Sequence, residues 1–219
     1  MKAESMKHLQ KMYEMCTDDM GYFKELIEAV IRIESETTSK DKFKIWDYVG
    51  KDSIRPALSC VFHDSGFKVA TDARILIALK EEYDPELEGL LLRKNGTIET
   101  EHTTYPKWRG VIPNPEMTKM ESVELDFGKI RGFEKDYKAI CKARGYKDAP
   151  AYIRVTDKYT FNLTLLVKMA KFMEHTGTRE LLLDPDGRRA ALVIAGESRG
   201  ILMPCYDPDI EGEFVYRLY

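Results

Sequence analysis

Four basic residues follow one another at spacings of four, three and four: Arg131, Lys135, Lys138 and Lys142. Side chains three and four positions apart lie on the same side of a helix, so these spacings predict one basic stripe, turned away from Phe133 and Ile140. Such a stripe can contact phosphate groups without reading a base sequence. It can equally be a solvated face, because lysine is common on exposed helices.

Three further basic residues extend this interpretation. Lys168 and Lys171 form a similar pair on a later predicted helix. Arg74 follows Asp72 by two positions, and it can either contact a nucleic acid or pair with that carboxylate. Each therefore has a binding interpretation and a structural one.

Catalytic and metal-binding patterns are scarce. The four histidines are far apart in the sequence, and neither a His-Glu-x-x-His pattern nor a phosphate-binding loop occurs. Cys60 and His63 fall on one short predicted strand with opposite facing, which disfavours a nucleophile–base pair. Asp184 and Asp186 flank a proline, where turn chemistry explains them better than a calcium site. We therefore predict no metal and no cofactor, and favour a non-catalytic protein.

Composition limits the class of protein. The chain has 219 residues, 43% of them hydrophobic, and a formal net charge of −3. A negative net charge argues against a protein that coats nucleic acid through an overall positive charge, but it is compatible with a basic patch on one face. Four scattered cysteines without a Cys-x-x-Cys pair favour reduced thiols in a cytoplasmic protein. No apolar run approaches the roughly 20 residues that span a bilayer, so we expect no membrane partner.

Hydrophobic periodicity predicts short strands and several helices. Strands are expected at Leu58–His63, Phe67–Thr71, Ile75–Leu79 and Val123–Phe127, with a tight turn centred on Gly66. Helices are expected over residues 3–16, after Thr17, over 133–144, and from a cap at Asn162 to about Met173. Gly145 and Gly177 suit the ends of the last two helices, and the last one is expected to turn these side chains inward: Leu165, Leu166, Met169 and Met173. In the last residues of the chain, alternating Phe214, Tyr216 and Leu218 suggest an added edge strand.

Three segments carry a family resemblance. Arg55-Pro56-Ala57-Leu58-Ser59 is followed, after a hairpin, by Val69-Ala70-Thr71-Asp72-Ala73-Arg74-Ile75-Leu76. Phe161-Asn162-Leu163 opens a helix that precedes two strands and a closing Leu202-Met203-Pro204. Between them lies Tyr105-Pro106-Lys107-Trp108-Arg109-Gly110-Val111-Ile112-Pro113. In this order the segments resemble the bacterial sliding clamp, the DNA polymerase III beta subunit, although Cys60 and Ala73 replace residues typical of that family.

The resemblance implies an α+β, DNA-clamp-like fold with helices packed on antiparallel sheets. It suggests a clamp-like N-terminal domain over residues 1–113 and a second one over 114–219, which includes an extra tail. An alternative is one clamp domain with an insertion at about residues 80–151. The chain is shorter than a three-domain clamp, so a ring would require several copies.

By the same resemblance, the expected function is that of a processivity or tethering factor, at most an accessory subunit of a DNA polymerase. Duplex DNA would be contacted without sequence preference by seven basic residues: Arg131, Lys135, Lys138, Lys142, Lys168, Lys171 and Arg74. Peptides of a polymerase or another replication protein would bind near Leu202, Met203 and Pro204. The alternatives are a clamp-like interaction module without DNA binding, or an enzyme with an unrecognised site.

Overall fold

The computed structural model describes residues 43–51, 55–101, 104–147, 149–205 and 214–219. The chain divides into two compact units, Met1–Lys44 and Ile45–Tyr219. The two helices expected near the N-terminus, over residues 3–16 and after Thr17, lie outside the described residues. The following account concerns the larger unit.

An eight-stranded antiparallel sheet forms the centre of the larger unit. Its strands are β1 (Val61–Asp64), β2 (Phe67–Thr71), β3 (Ile75–Lys80), β4 (Leu91–Leu92), β5 (Glu121–Glu124), β8 (Glu180–Leu183), β9 (Ala191–Ala195) and β10 (Ser198–Leu202). Their spatial order is β4-β1-β2-β3-β10-β9-β8-β5. Because β3 pairs directly with β10, the sheet joins segments more than a hundred residues apart in the sequence.

A smaller sheet and three α-helices complete the described part of this unit. The sheet has the order β11-β6-β7, built from β6 (Tyr152–Arg154), β7 (Thr160–Asn162) and β11 (Val215–Arg217). The helices are a single turn, α1 (Pro115–Thr118), and two longer ones, α2 (Phe127–Arg144) and α3 (Leu163–Thr176). The predicted α+β class, with helices on antiparallel strands, is thus confirmed.

The first hairpin follows its sequence signals closely, with one exception. Ser65 and Gly66 both have positive φ, 55° and 75°, as the tight turn between β1 and β2 requires. The strand predicted from Leu58 begins only at Val61, however. Pro56–Ser59 forms a 3₁₀ turn instead, in which the Ser59 hydroxyl donates to the Pro56 carbonyl at 2.6 Å. Proline restricts φ to values that suit such a turn, and this local preference prevails over the β-rich composition.

Helix α3 covers one face of the large sheet. It begins as predicted, because the Asn162 side chain accepts a hydrogen bond from the Leu165 amide, and it ends at Gly177 with φ 74°. Its inward side chains, including the predicted Leu165, Leu166, Met169 and Met173, are all buried. The helix lies so close to β10 that a Cβ atom at position 200 would be 2.9 Å from Met169 Sδ and from Phe172 Cε1.

The opposite face of the sheet is covered by the segment around residues 105–120. Tyr105 and Trp108 are buried here with sheet residues such as Val69, Ala78 and Ile201. The ring of Phe62 stacks on that of Tyr105, with centroids 4.8 Å apart. The sheet therefore has α3 on one side and an aromatic loop on the other, which leaves its central strands buried on both faces.

Asp64 fastens this aromatic loop to the end of β1. Its carboxylate accepts hydrogen bonds from Trp108 Nε1 at 2.7 Å, from the Ser65 hydroxyl at 2.9 Å and from the Arg109 guanidinium. Burial by itself would raise the pKa of Asp64, but these donors outweigh it and the pKa lies below the usual value. The carboxylate thus stabilises the fold in its ionised form.

Replacing Asp64 with asparagine is expected to lower the free energy of unfolding at pH 7 by about 1–2 kcal/mol, because charge-assisted hydrogen bonds are lost. The loss is no larger because solvent partly screens the ion pair with Arg109. A depressed folded-state pKa stabilises the protein above the unfolded pKa, and this contribution disappears as the pH falls through the folded value. Urea titrations at pH 7 and pH 3 should therefore show a difference between wild type and Asp64→Asn that shrinks in acid. An equal difference at both pH values would contradict this account.

Helix α2 begins earlier than its periodicity predicts. The expected start was Phe133, but Asp126 caps the helix by accepting from the Lys129 amide at 2.9 Å, so the helix starts at Phe127. The strand expected over Val123–Phe127 correspondingly lies at Glu121–Glu124. The C-terminal end, at Gly145 with φ 71°, agrees with the prediction. A capping carboxylate immediately before the helix outweighs the apolar alternation of the preceding residues.

The predicted division near residue 113 stays a prediction, as does the alternative of one domain with an insertion at 80–151. Strands from both sides of residue 113 share the eight-stranded sheet.

The predicted edge strand near the C-terminus is present as β11, which pairs in parallel with β6.

Candidate nucleic-acid interface

The basic stripe consists of four side chains that are all exposed on one side of α2: Arg131, Lys135, Lys138 and Lys142. Phe133 and Ile140, which the periodicity turned inward, are partly buried. At a rise of about 1.5 Å per residue the stripe extends for roughly 16 Å along the helix, a length that reaches several phosphates of a duplex.

Two of the four cations are paired with carboxylates, and two are not. Arg131 forms an ion pair with Glu174 of α3, and Lys138 pairs with Glu134 one turn earlier on the same helix. Lys135 and Lys142 have no acidic partner among the described residues. Exposed pairs of this kind contribute little to stability, so both paired cations can exchange their carboxylate for another anion at small cost.

Helix α2 concentrates positive charge in an acidic chain. Between Phe127 and Arg144 it has six basic and two acidic residues, whereas the whole chain has a formal net charge of −3. The rest of the chain is therefore more acidic than the total suggests. Such an uneven distribution produces a local positive potential that a polyanion can recognise.

A second basic group surrounds Lys168 on α3. Burial lowers the pKa of this half-buried lysine, Asp72 and Asp47 raise it, and Arg74 and Lys51 lower it further. The ammonium group therefore lies within electrostatic reach of two other cations and two carboxylates. The charge of Arg74 thus acts on Lys168, although 94 positions separate them in the sequence.

Arg74 lies in the turn between β2 and β3. The Asp72 carboxylate accepts hydrogen bonds from the backbone amides of Arg74 and Ile75, at 2.9 and 3.0 Å, and it also pairs with the guanidinium at 3.3 Å. Ala73 has φ 71°, a conformation that glycine adopts with less strain. The Arg74 side chain remains 69% exposed, so its pairing with Asp72 leaves it accessible to a ligand.

Lys171 connects the two basic groups along the surface of α3. It lies three residues after Lys168 and three before Glu174, so it is a neighbour of each along the helix surface. Glu174 in turn contacts Arg131 of the basic stripe. We call the seven predicted residues together the basic face: Arg74, Lys168, Lys171, Arg131, Lys135, Lys138 and Lys142.

The three predicted peptide-pocket residues differ in accessibility. Leu202 ends β10 and is fully buried, and Pro204 is buried as well. Met203 is 40% exposed, and its amide donates to the Arg74 carbonyl at 2.9 Å. Met203 is therefore the one member of this set with an accessible apolar side chain, and it lies beside the basic face.

An open groove occurs at a different place, next to the hydrogen bonds that the Asp64 carboxylate accepts. Its volume is about 340 Å³, and its walls are formed by these residues: Phe62, Asp64, Tyr105, Pro106, Lys107, Trp108 and Arg109. The Arg109 guanidinium lies over the Trp108 ring, 4.3 Å from its centroid. Leu202, Met203 and Pro204 do not contribute to this groove.

The sequence also contains a serine motif outside the predicted sites. Gly196-Glu197-Ser198-Arg199-Gly200 has the Gly-x-Ser-x-Gly spacing of hydrolase nucleophiles. In that class the serine occupies a sharp turn between a strand and a helix. Here Ser198 begins β10 in a β-hairpin, it is buried, and its Oγ accepts from the Lys80 amide at 3.0 Å. The motif is thus part of the sheet.

Among the described residues, no group of three or more His, Cys, Asp or Glu side chains could hold a metal ion. None of the described helices is both long and apolar enough to cross a lipid bilayer.

Comparisons with known proteins give a match only among solved structures. No family model matches the chain, and no curated protein matches it. Among solved structures, the chain is similar in backbone arrangement to a DNA polymerase sliding clamp from Pseudomonas aeruginosa crystallised with a ligand. The TM-score is 0.47 and the sequence identity 12%, over 73% of this chain. The match spans 61% of that clamp chain, which is less than two thirds of its length.

Sequence reasoning missed two residues near the basic face. Asp47 raises the pKa of Lys168 and Lys51 lowers it, although the two residues lie 121 and 117 positions away from Lys168 in the sequence. No periodicity links them to α3, and only the packing of the segment around Tyr48, whose hydroxyl donates to the Lys168 carbonyl, places them there.

Proposed function

We propose that this chain is a clamp-like module that contacts duplex DNA without sequence preference through the basic face. The observation that carries this proposal is the exposed stripe of four cations on α2 in a chain of net negative charge. Such a stripe binds phosphates, which are the same at every base pair. A tethering factor requires this property, because it must hold DNA and still move along it.

The character of the side chains supports phosphate contact over base readout. Three of the four stripe residues are lysines, whose flexible ammonium groups act as point charges with little directional preference. Three residues of the basic face are paired with the carboxylates of Asp72, Glu134 and Glu174, which compete with phosphate. Binding should therefore be weak and easily reversed, as sliding demands.

The partner and the assembly are further parts of the proposal. We infer that a replication protein, such as a DNA polymerase, contributes a short peptide that docks at Met203 beside Leu202 and Pro204. Several copies of the chain would assemble around the duplex as a homo-oligomer in the cytoplasm. These elements rest on the motif resemblance described above, together with the exposure of Met203.

The deciding experiment measures DNA affinity as a function of salt. With a fluorescent 30-base-pair duplex, the logarithm of the association constant should fall linearly with the logarithm of salt concentration, with a slope of about −4.5 to −6.3 for five to seven phosphate contacts. Two duplexes of unrelated sequence should give the same slope and the same affinity. Light scattering on the same samples gives the number of copies in the complex.

Two results would reject sequence-independent DNA binding through phosphate contacts. One is the absence of any association at about 50 mM salt, where phosphate contacts are strong. The other is an affinity that depends on base sequence and hardly on salt. In the first case the clamp-like interaction module without DNA binding would become the better explanation.

A further inference from the structure

The section of α2 from Arg131 to Arg144, which we call its basic half, has no fully buried side chain. The buried residues of this helix are Phe127 and Ile130, both in its first turn. From Arg131 to Arg144 every residue is at least partly exposed. Lys135, Lys138 and Lys142 are therefore on a section of helix that the large sheet does not hold in place.

The last six residues of the chain, Phe214–Tyr219, supply the missing contacts, and we call them the C-terminal strap. The Tyr216 ring stacks on Phe133, with centroids 4.7 Å apart. Phe214 meets Tyr137 edge-on at 5.3 Å and Tyr146, just past the helix, at 6.3 Å. Aromatic pairs of this geometry add stabilisation beyond their buried area.

The strap is itself attached to the small sheet. Strand β11 pairs in parallel with β6, the Tyr152 amide donates to the Phe214 carbonyl at 2.8 Å, and the Leu218 amide donates to the Arg154 carbonyl at 3.0 Å. At the other end of α2, Lys129 Nζ donates to the Leu218 carbonyl at 2.6 Å. The strap therefore connects α2 with the sheet that leads into α3.

We propose that the C-terminal strap positions the basic half of α2 and thereby controls the DNA contact. Phe214 and Tyr216 are positioning residues: they touch the inward side of α2, while Lys135, Lys138 and Lys142 project from another side. When the strap is released, the last turns of α2 lose their fixed direction. Lys135, Lys138 and Lys142 then no longer form an ordered row of positive charges that phosphates can bind. This inference rests on the proposed function for its consequence, but its structural part can be tested alone.

The test uses three full-length variants. Tyr216→Ala removes the stacked ring, and Tyr216→Phe retains it. Tyr83→Ala removes a tyrosine that is 56% exposed in the loop after β3, so it serves as the matched control. Hydrogen exchange without DNA reports on α2, and salt-dependent titration with duplex DNA reports on the interface.

In Tyr216→Ala, amides of residues 135–144 should exchange about tenfold faster or more, because local opening of this section becomes easier while α3 stays protected. The slope of log affinity against log salt should fall in magnitude by about one to two as phosphate contacts are lost. Tyr216→Phe and Tyr83→Ala should match the wild type in both measurements.

Unchanged exchange over 135–144 in Tyr216→Ala would overturn the proposal. Faster exchange of α3 to the same extent would also overturn it, since the ring would then serve global stability only. Faster exchange of α2 with an unaltered salt slope would refute the control of DNA contact. If wild-type protein did not bind DNA at all, the proposed function would fail, and the exchange data would still decide whether the strap holds α2.

Discussion

Replacing Lys135, Lys138 and Lys142 together with glutamine is expected to weaken duplex DNA binding by at least about tenfold near 100 mM salt and to reduce the salt slope by about three, since each lysine releases roughly one counterion. Lysine and glutamine have similar helix propensities, so α2 should persist. Arg131 stays in place and continues to pair with Glu174. Fluorescence anisotropy over a series of salt concentrations measures both quantities, and circular dichroism checks the helix.

The matched control removes the same charge elsewhere. Lys94, Lys107 and Lys158 are also exposed, and none belongs to the basic face. Their triple replacement by glutamine should leave the salt slope nearly unchanged and lower affinity only through the net charge of the whole protein. If both triple variants lost affinity equally, the positive charge of the chain in general, and not the stripe on α2, would be responsible.

Replacing Gly200 with valine is expected to lower the free energy of unfolding by about 3 kcal/mol, the upper part of the usual range for overpacked cores. A Cβ atom at this position would lie 2.9 Å from both Met169 Sδ and Phe172 Cε1. The thioether can move, but the phenyl ring is fixed in the buried interface between α3 and β10. Urea unfolding followed by circular dichroism measures the loss.

A double-mutant cycle identifies the cause of this loss. Phe172→Leu removes the ring edge that a valine would strike, so Gly200→Val should cost at least about 1 kcal/mol less in that background. Gly110 has no atom within 4 Å of an added Cβ, and Gly110→Val should change stability by no more than about 0.5 kcal/mol. Strictly additive costs at positions 172 and 200 would show that the close approach of α3 to β10 is not the source.

Local signals in the sequence predicted much of the secondary structure. The β1–β2 turn, the Asn162 cap and the ends of α2 and α3 at Gly145 and Gly177 were read from a few adjacent residues each. These features depend on backbone conformation and short-range hydrogen bonds, which neighbouring residues decide. The same holds for the basic stripe, because helical periodicity alone arranges its four side chains. Errors arose where two local preferences competed, as at Pro56 and at Asp126.

Long-range arrangement could not be obtained in this way. The pairing of β3 with β10 and the electrostatic effect of Arg74 on Lys168 join residues about a hundred positions apart. The strap contacts of Phe214 and Tyr216 on α2 are of the same kind. The sequence by itself determined which residues share a strand, a helix face or a turn, because these relations follow from backbone periodicity. Only the tertiary structure decided which faces meet, since that choice depends on how the whole set of apolar side chains is buried at once.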